Sequence, residues 1–135
     1  MILGMGNDII DMRRIEKVMK RHPERFIKRC FTQEEIDKAE SRRNGNLHIA
    51  TYSKRFAAKE ACSKALGTGF RGGISMQDIE VKNDAIGRPT LQLKNKALDR
   101  AKDLAGGAPI SIHLALTDEP PYAQASVIIE TISSQ

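Results

Sequence analysis

Aromatic side chains are scarce in this sequence. There is no tryptophan, and four Phe with two Tyr are all that 135 residues provide, so stacking on nucleic-acid bases would have few platforms. Cysteine is scarcer still. Cys30 and Cys62 are too few for a disulfide scaffold and too isolated for a zinc site, which makes a reducing cytoplasm the expected compartment. No apolar run reaches the ~18 residues of a membrane-spanning helix. The opening MILGMGNDIIDMRR has neither a basic leader nor a small-residue cleavage site, so it does not read as a secretory signal. Repeats, low-complexity tracts and linkers are missing too, and the length fits one domain over residues 1–135. With 40% hydrophobic and 29% charged residues, disorder over most of the chain is excluded.

The net charge of +5 is concentrated in one place. Between Arg13 and Arg29 stand eight basic and two acidic residues, a local net of +6; the other 14 basic and 15 acidic residues give −1. A patch of this kind suits an acidic partner, although a solvated helix face has the same composition.

The pattern along the chain is α+β. From Ile2 to Ile10, Leu3, Met5 and Ile9 alternate against Gly4, Gly6 and Asp8, which predicts a strand. Asp8 thus shares a face with two glycines, where a ligand or another chain can approach closely. Ile15, Val18, Met19, Phe26 and Ile27 follow helical spacing, and Pro23 divides that stretch or opens a second helix. Thr32 with Glu35 forms a capping box for a helix from Gln33 to about Arg43, ended by Asn44-Gly45-Asn46. The longest helix is expected from Ile49 to Leu66, closed by Gly67. A glycine-rich loop follows, then a hairpin of Ile79–Lys82 with Pro89–Leu93, a helix over Lys94–Ala105, a strand from Ile110 to Thr117, and a β return from Tyr122 to Thr131 after Pro120-Pro121. The expected fold is a small, mainly antiparallel sheet with helices inserted between its strands.

Within the longest helix, Phe56, Glu60 and Lys64 share one face, Arg55 and Lys59 line an adjacent stripe, and Ala57, Ala58, Ala61 and Ala65 permit tight packing. An ordinary Glu-x-x-x-Lys is a surface pair worth about 0.2–0.5 kcal/mol. Here the flanking Phe56 and the abrupt Gly67-Thr68-Gly69 exit favour a second use, with Glu60 as a hard oxygen ligand for Mg²⁺ and Lys64 as a point charge for a phosphate. Asp8 supplies a second carboxylate if the strand comes close. The loop Gly67 to Gly73 holds four glycines and Arg71 but is not a Walker A sequence. His113 lies on the polar face of its strand and suits a base, a phosphate contact or a structural hydrogen bond. Cys62, among small residues, reads as packing.

Taken in order, several segments resemble the bacterial holo-[acyl-carrier-protein] synthases. They are Gly4-Met5-Gly6-Asn7-Asp8-Ile9 with Arg13-Arg14-Ile15, Phe31-Thr32-x-x-Glu35, Arg55-Phe56-Ala57-Ala58-Lys59-Glu60-Ala61 running on to Lys64-Ala65-Leu66-Gly67-Thr68-Gly69, Gly87-Arg88-Pro89, and His113-Leu114-Ala115-Leu116-Thr117-Asp118 with Tyr122-Ala123 and Val127-Ile128-Ile129-Glu130. The resemblance runs nearly end to end, and its central segment is specific to 4′-phosphopantetheinyl transferases. It implies Mg²⁺-dependent transfer of 4′-phosphopantetheine from coenzyme A to a serine of acyl carrier protein, releasing adenosine 3′,5′-bisphosphate, in support of fatty acid biosynthesis. It implies that Asp8 and Glu60 hold the metal and that Lys64 neutralises the pyrophosphate. Arg55, Lys59, Gly67 and His113 are placed along coenzyme A, and Gly87-Arg88-Pro89 beside the adenine. It also implies a homotrimer with sites at subunit boundaries, so that His113 serves a neighbour. In one place the chain departs from the pattern: many members carry Ser/Thr-His where Thr117-Asp118 stands, and Asp118 cannot give a cationic contact to the 3′-phosphate.

The basic patch then becomes a docking face for an acidic carrier protein, formed by Arg14, Lys17, Arg21 and Arg25 with Phe26 or Met19 as an apolar anchor. Two other readings compete. A small nucleic-acid-binding protein explains the patch but gives Asp8, Glu60 and the glycine loop no task. A non-catalytic domain that binds an acidic protein does the same.

Overall fold

The computed structural model describes residues 1–132. A long strand β1 (Ile2–Asp11) leads directly into helix α1 (Met12–Arg21), followed by α2 (Pro23–Cys30), α3 (Gln33–Glu40) and the 18-residue α4 (His48–Ala65). The hairpin β2 (Ile79–Asn83) and β3 (Pro89–Leu93) precedes α5 (Asn95–Ala105), and the chain closes with β4 (Ile110–Glu119) and β5 (Tyr122–Thr131). β1, β5 and β4 form one antiparallel sheet in that order, and β2 with β3 forms a separate two-stranded sheet.

Local chemistry explains the boundaries. The Asp11 side chain caps α1 by accepting from the Arg13 amide. Pro23 occupies the first turn of α2, where its missing N–H is not needed. The Thr32–Glu35 capping box forms on both sides. α3 nonetheless stops at Glu40 instead of about Arg43, because the chain tightens into a 3₁₀ turn over Arg43–Gly45 that ends on left-handed Asn46 (φ 57°).

Helix α4 lies on the inner face of the three-stranded sheet, and the contact is made by small residues. Ala57, Ala58, Ala61 and Ala65 of α4 are buried, as are Ala123, Ala125, Val127 and Ile129 of β5. Gly4 and Gly6 of β1 bring the two backbones together: a Cβ on Gly6 would fall onto the Ala61 carbonyl and 2.9 Å from the Ala65 amide, and one on Gly4 onto the Ala65 carbonyl. The space beside Asp8 that the glycines open is therefore filled by the protein's own helix. The apolar partners in the alternation point the other way, and Met5 and Ile9 are 67% and 66% exposed on the outer face.

Candidate active site

Asp8 leaves β1 on the inner face, beside α4, and meets the stripe of Glu60 and Lys64. Lys64 Nζ donates to Asp8 Oδ1 at 3.1 Å and to the Asn7 carbonyl at 3.0 Å. Burial, and after it the charge of Asp8, raise the Glu60 carboxyl above its ordinary range, while Lys64 lowers it in part. Two carboxylates and an ammonium thus converge from elements that are more than 50 residues apart in sequence.

This set fits a magnesium ion. Both donors are hard oxygens, and Mg²⁺ is commonly held by one or two protein carboxylates with phosphate and water oxygens completing the octahedron. The repulsion from Asp8 that adds to burial in lifting Glu60 is what a divalent cation between the two carboxylates would relieve. No cluster of three or more His, Cys, Asp or Glu side chains suited to a metal occurs among the described residues, so a closed, all-protein cage is not formed.

The exit of α4 is shaped for a sharp turn. Gly67 adopts φ 81° and its amide bonds the Lys64 carbonyl, while the Gly69 amide reaches the Ser63 carbonyl. Arg100 of α5 donates from Nε to the Leu66 carbonyl at 2.9 Å and fixes this end from outside.

One turn N-terminal to Lys59, Arg55 is buried, and burial lowers the pKa of its guanidinium. Its side chain donates to Asn83 Oδ1 at 3.1 Å, its Nε has no partner, and no carboxylate pairs with it among the described residues. Arg55, Lys38, Lys82, Asn83, Val81 and Glu34 line a pocket of about 210 Å³, on the strand that carries the Gly87-Arg88-Pro89 turn. A buried cation left without a counter-charge marks a place for an anion.

Lys59, expected along coenzyme A, is corrected by the structure. Its side chain is wholly enclosed, and its ammonium donates to Glu35 Oε1 at 2.7 Å and to the Met76 and Ile79 carbonyls at 2.9 and 2.6 Å. With three acceptors satisfied and no exposed surface it does not reach a ligand. Among small neighbours such as Ala58 and Ala61, only long-range folding brings Glu35 to it, and spacing alone carries no signal of that. Met19 is likewise core, not an anchor. Phe26 is half-buried, packed 5.9 Å from the rings of both Phe31 and Phe56, so it links α2 to the stripe that bears Glu60.

Arg14, Lys17, Arg21 and Arg25 are exposed on α1 and α2, and none forms an ion pair among the described residues. Arg13 is tied to Asp11 at 2.7 Å and Lys20 to Glu16 at 3.1 Å. His113 projects from the outer face of the sheet, 2.7 Å from Glu130, and so lies across the sheet from Asp8. Asp118 is paired with Lys54 at 3.3 Å. Pro89 begins β3 beside the turn.

A profile of the 4′-phosphopantetheinyl transferase superfamily matches residues 4–115. A holo-[acyl-carrier-protein] synthase from Granulibacter bethesdensis is 53% identical over 133 residues, covering 98% of this chain and 91% of the relative. The crystal structure of a holo-[acyl-carrier-protein] synthase from Neisseria meningitidis superposes with TM-score 0.81 at 35% identity, covering 97% of this chain and all of the other. The Bacillus anthracis enzyme of the same name, solved in complex with CoA (3′,5′-ADP), gives 0.76 at 34%, over 98% and 99% of the two chains. With a profile match over most of its length and relatives at this identity, the chain belongs to the 4′-phosphopantetheinyl transferase superfamily, among the holo-[acyl-carrier-protein] synthases.

Proposed function

We propose that this enzyme transfers 4′-phosphopantetheine from coenzyme A to a serine hydroxyl of apo acyl carrier protein, with Mg²⁺ held by Asp8 and Glu60. The observation that carries this is the meeting of Asp8, Glu60 and Lys64, joined along α4 to buried Arg55, whose Nε has no partner and which forms no ion pair among the described residues. In the reaction the serine Oγ gives up its proton to water and forms a bond to the phosphorus that bears pantetheine. The bond from that phosphorus to the bridging pyrophosphate oxygen breaks, and adenosine 3′,5′-bisphosphate leaves.

Such a transfer needs charge neutralisation and alignment more than covalent help from the protein. A bound Mg²⁺ would supply Lewis-acid stabilisation of phosphate charge. Lys64, with its side chain half exposed and its ammonium already at Asp8, is placed to take a phosphate oxygen as a further partner. Arg55, with Lys38 and Lys82 at the same pocket, receives a phosphate of the nucleotide half. The Gly87-Arg88-Pro89 turn borders the base.

The acidic carrier protein docks on Arg14, Lys17, Arg21 and Arg25, with Phe26 beneath them leading to Phe56 and Glu60. The outer sheet face, where Met5 and Ile9 stand exposed, is covered by further copies of the chain in a homotrimer. His113, on that face, then serves a neighbour's nucleotide. Unpaired, buried Cys30 and Cys62 suit the reducing cytoplasm.

The test is incubation with apo carrier protein, coenzyme A and Mg²⁺, read by intact mass. Conversion of the carrier serine is expected with the parent and not with Glu60→Ala. An unmodified serine in the presence of well-folded parent enzyme overturns the proposal.

A further inference from the structure

We infer that Lys59, through its ion pair with Glu35, is a positioning residue for the donor substrate, fixing the β2–β3 hairpin on α4 and so holding together the nucleotide end of the coenzyme A site. This rests on the function proposed above.

Three alternate positions of β2 are each held by a charged side chain rooted in α3 or α4. Lys59 bonds the carbonyl of Ile79 at 2.6 Å. Glu35, itself gripped by Lys59, accepts from the Val81 amide at 2.9 Å. Arg55 bonds the side chain of Asn83 at 3.1 Å. Asn83 passes the restraint on, since its Nδ2 donates to the Gly87 carbonyl at 3.1 Å, in the turn before Pro89. The stripe of Arg55 and Lys59 therefore carries the nucleotide end of the site. The adjacent stripe of Phe56, Glu60 and Lys64 carries the pyrophosphate end.

Stability alone does not call for an ion pair here. Replacing a buried pair with apolar residues of similar volume is often neutral or stabilising. What the ammonium adds is direction: its three acceptors belong to α3, to a second 3₁₀ turn over Met76–Asp78 just before β2, and to β2 itself, and they hold a register that an apolar contact would let slide. A ligand that binds at two ends gains from its second contact only when both can be made at once. Displacing the hairpin would part Arg55 from Asn83 and the Gly87-Arg88-Pro89 turn and open the nucleotide end, while the pyrophosphate end on α4 and β1 stays intact.

The experiment compares the parent with a Lys59→Met/Glu35→Leu double variant of the full chain, by calorimetric titration with three probes in Mg²⁺: coenzyme A, adenosine 3′,5′-bisphosphate and inorganic pyrophosphate. The expected result is that coenzyme A and adenosine 3′,5′-bisphosphate both weaken by about tenfold or more while inorganic pyrophosphate changes by less than about twofold. If coenzyme A is unaffected, or if all three weaken together, the inference is overturned. Should the double variant fail to fold, Lys59→Arg keeps the charge, lengthens the reach, and carries the same test with the same outcomes. Failure of the underlying function shows separately, as a parent protein that does not modify the carrier serine.

Discussion

Glu60 carries a conflict between stability and function that can be measured. Burial and Asp8 raise its carboxyl pKa, so the folded chain holds that proton more tightly than the unfolded chain does. Without metal, stability then falls as pH rises from the ordinary carboxylate range through the raised value, and the loss is complete above it. In EDTA at pH 7, Glu60→Gln should melt above the parent, and this advantage should vanish in acid. Its transfer rate should fall by about 10²-fold or more. Adding Mg²⁺ should raise the melting point of the parent and not of the variant. A variant that melts no higher than the parent in EDTA would show that burial and Asp8 do not oppose the Glu60 charge. The shared face of Glu60 and Lys64 was legible in the sequence from their helical spacing, whereas their meeting with Asp8 was not, because it depends on β1 packing against α4. The burial of Lys59 and Arg55 was not legible. A lysine and an arginine one turn apart look alike whether they face solvent or a core, and what buries them comes from α3 and β2.

Elements were easier to read than their faces. Caps, proline and glycine placed the helices to within a few residues, and the one early stop, at α3, follows from a 3₁₀ turn that local pattern does not encode. The α4–β1 contact supports a prediction at this scale. Gly6→Ala would push a methyl against the Ala61 carbonyl and the Ala65 amide. Overpacking of this kind typically costs about 1–3 kcal/mol. Denaturant unfolding should show that loss, with transfer reduced as Asp8 is carried away from Glu60. The basic face of α1 and α2 behaves as another unit. Arg14→Glu with Arg21→Glu should raise the KM for carrier protein on the order of tenfold, leave coenzyme A affinity unchanged, and flatten the dependence on salt. Loss of coenzyme A affinity in that variant would erase the division between docking face and donor site.

At the scale of the whole molecule, the sequence showed a half-apolar β1 but not which half is covered by what. Met5 and Ile9 alternate as core residues do, yet the side facing α4 belongs to Gly4, Gly6 and Asp8, because a strand at an assembly surface and a strand over a core share one pattern. Met5→Asp with Ile9→Asp should therefore leave the fold and its circular dichroism intact while light scattering reports a monomer instead of the proposed trimer. A variant that stays trimeric would move the assembly surface elsewhere.

The glycines on β1 also act as a lock against misalignment. Shifting the strand by one residue would drive Met5, together with Leu3 or Asn7, into gaps that admit no β-carbon and would turn Asp8 to the outer face of the sheet. Backbone carbonyls of α4 would reject that slip before any metal bound, so a correctly paired first strand and a usable pair of carboxylates arise in the same folding event.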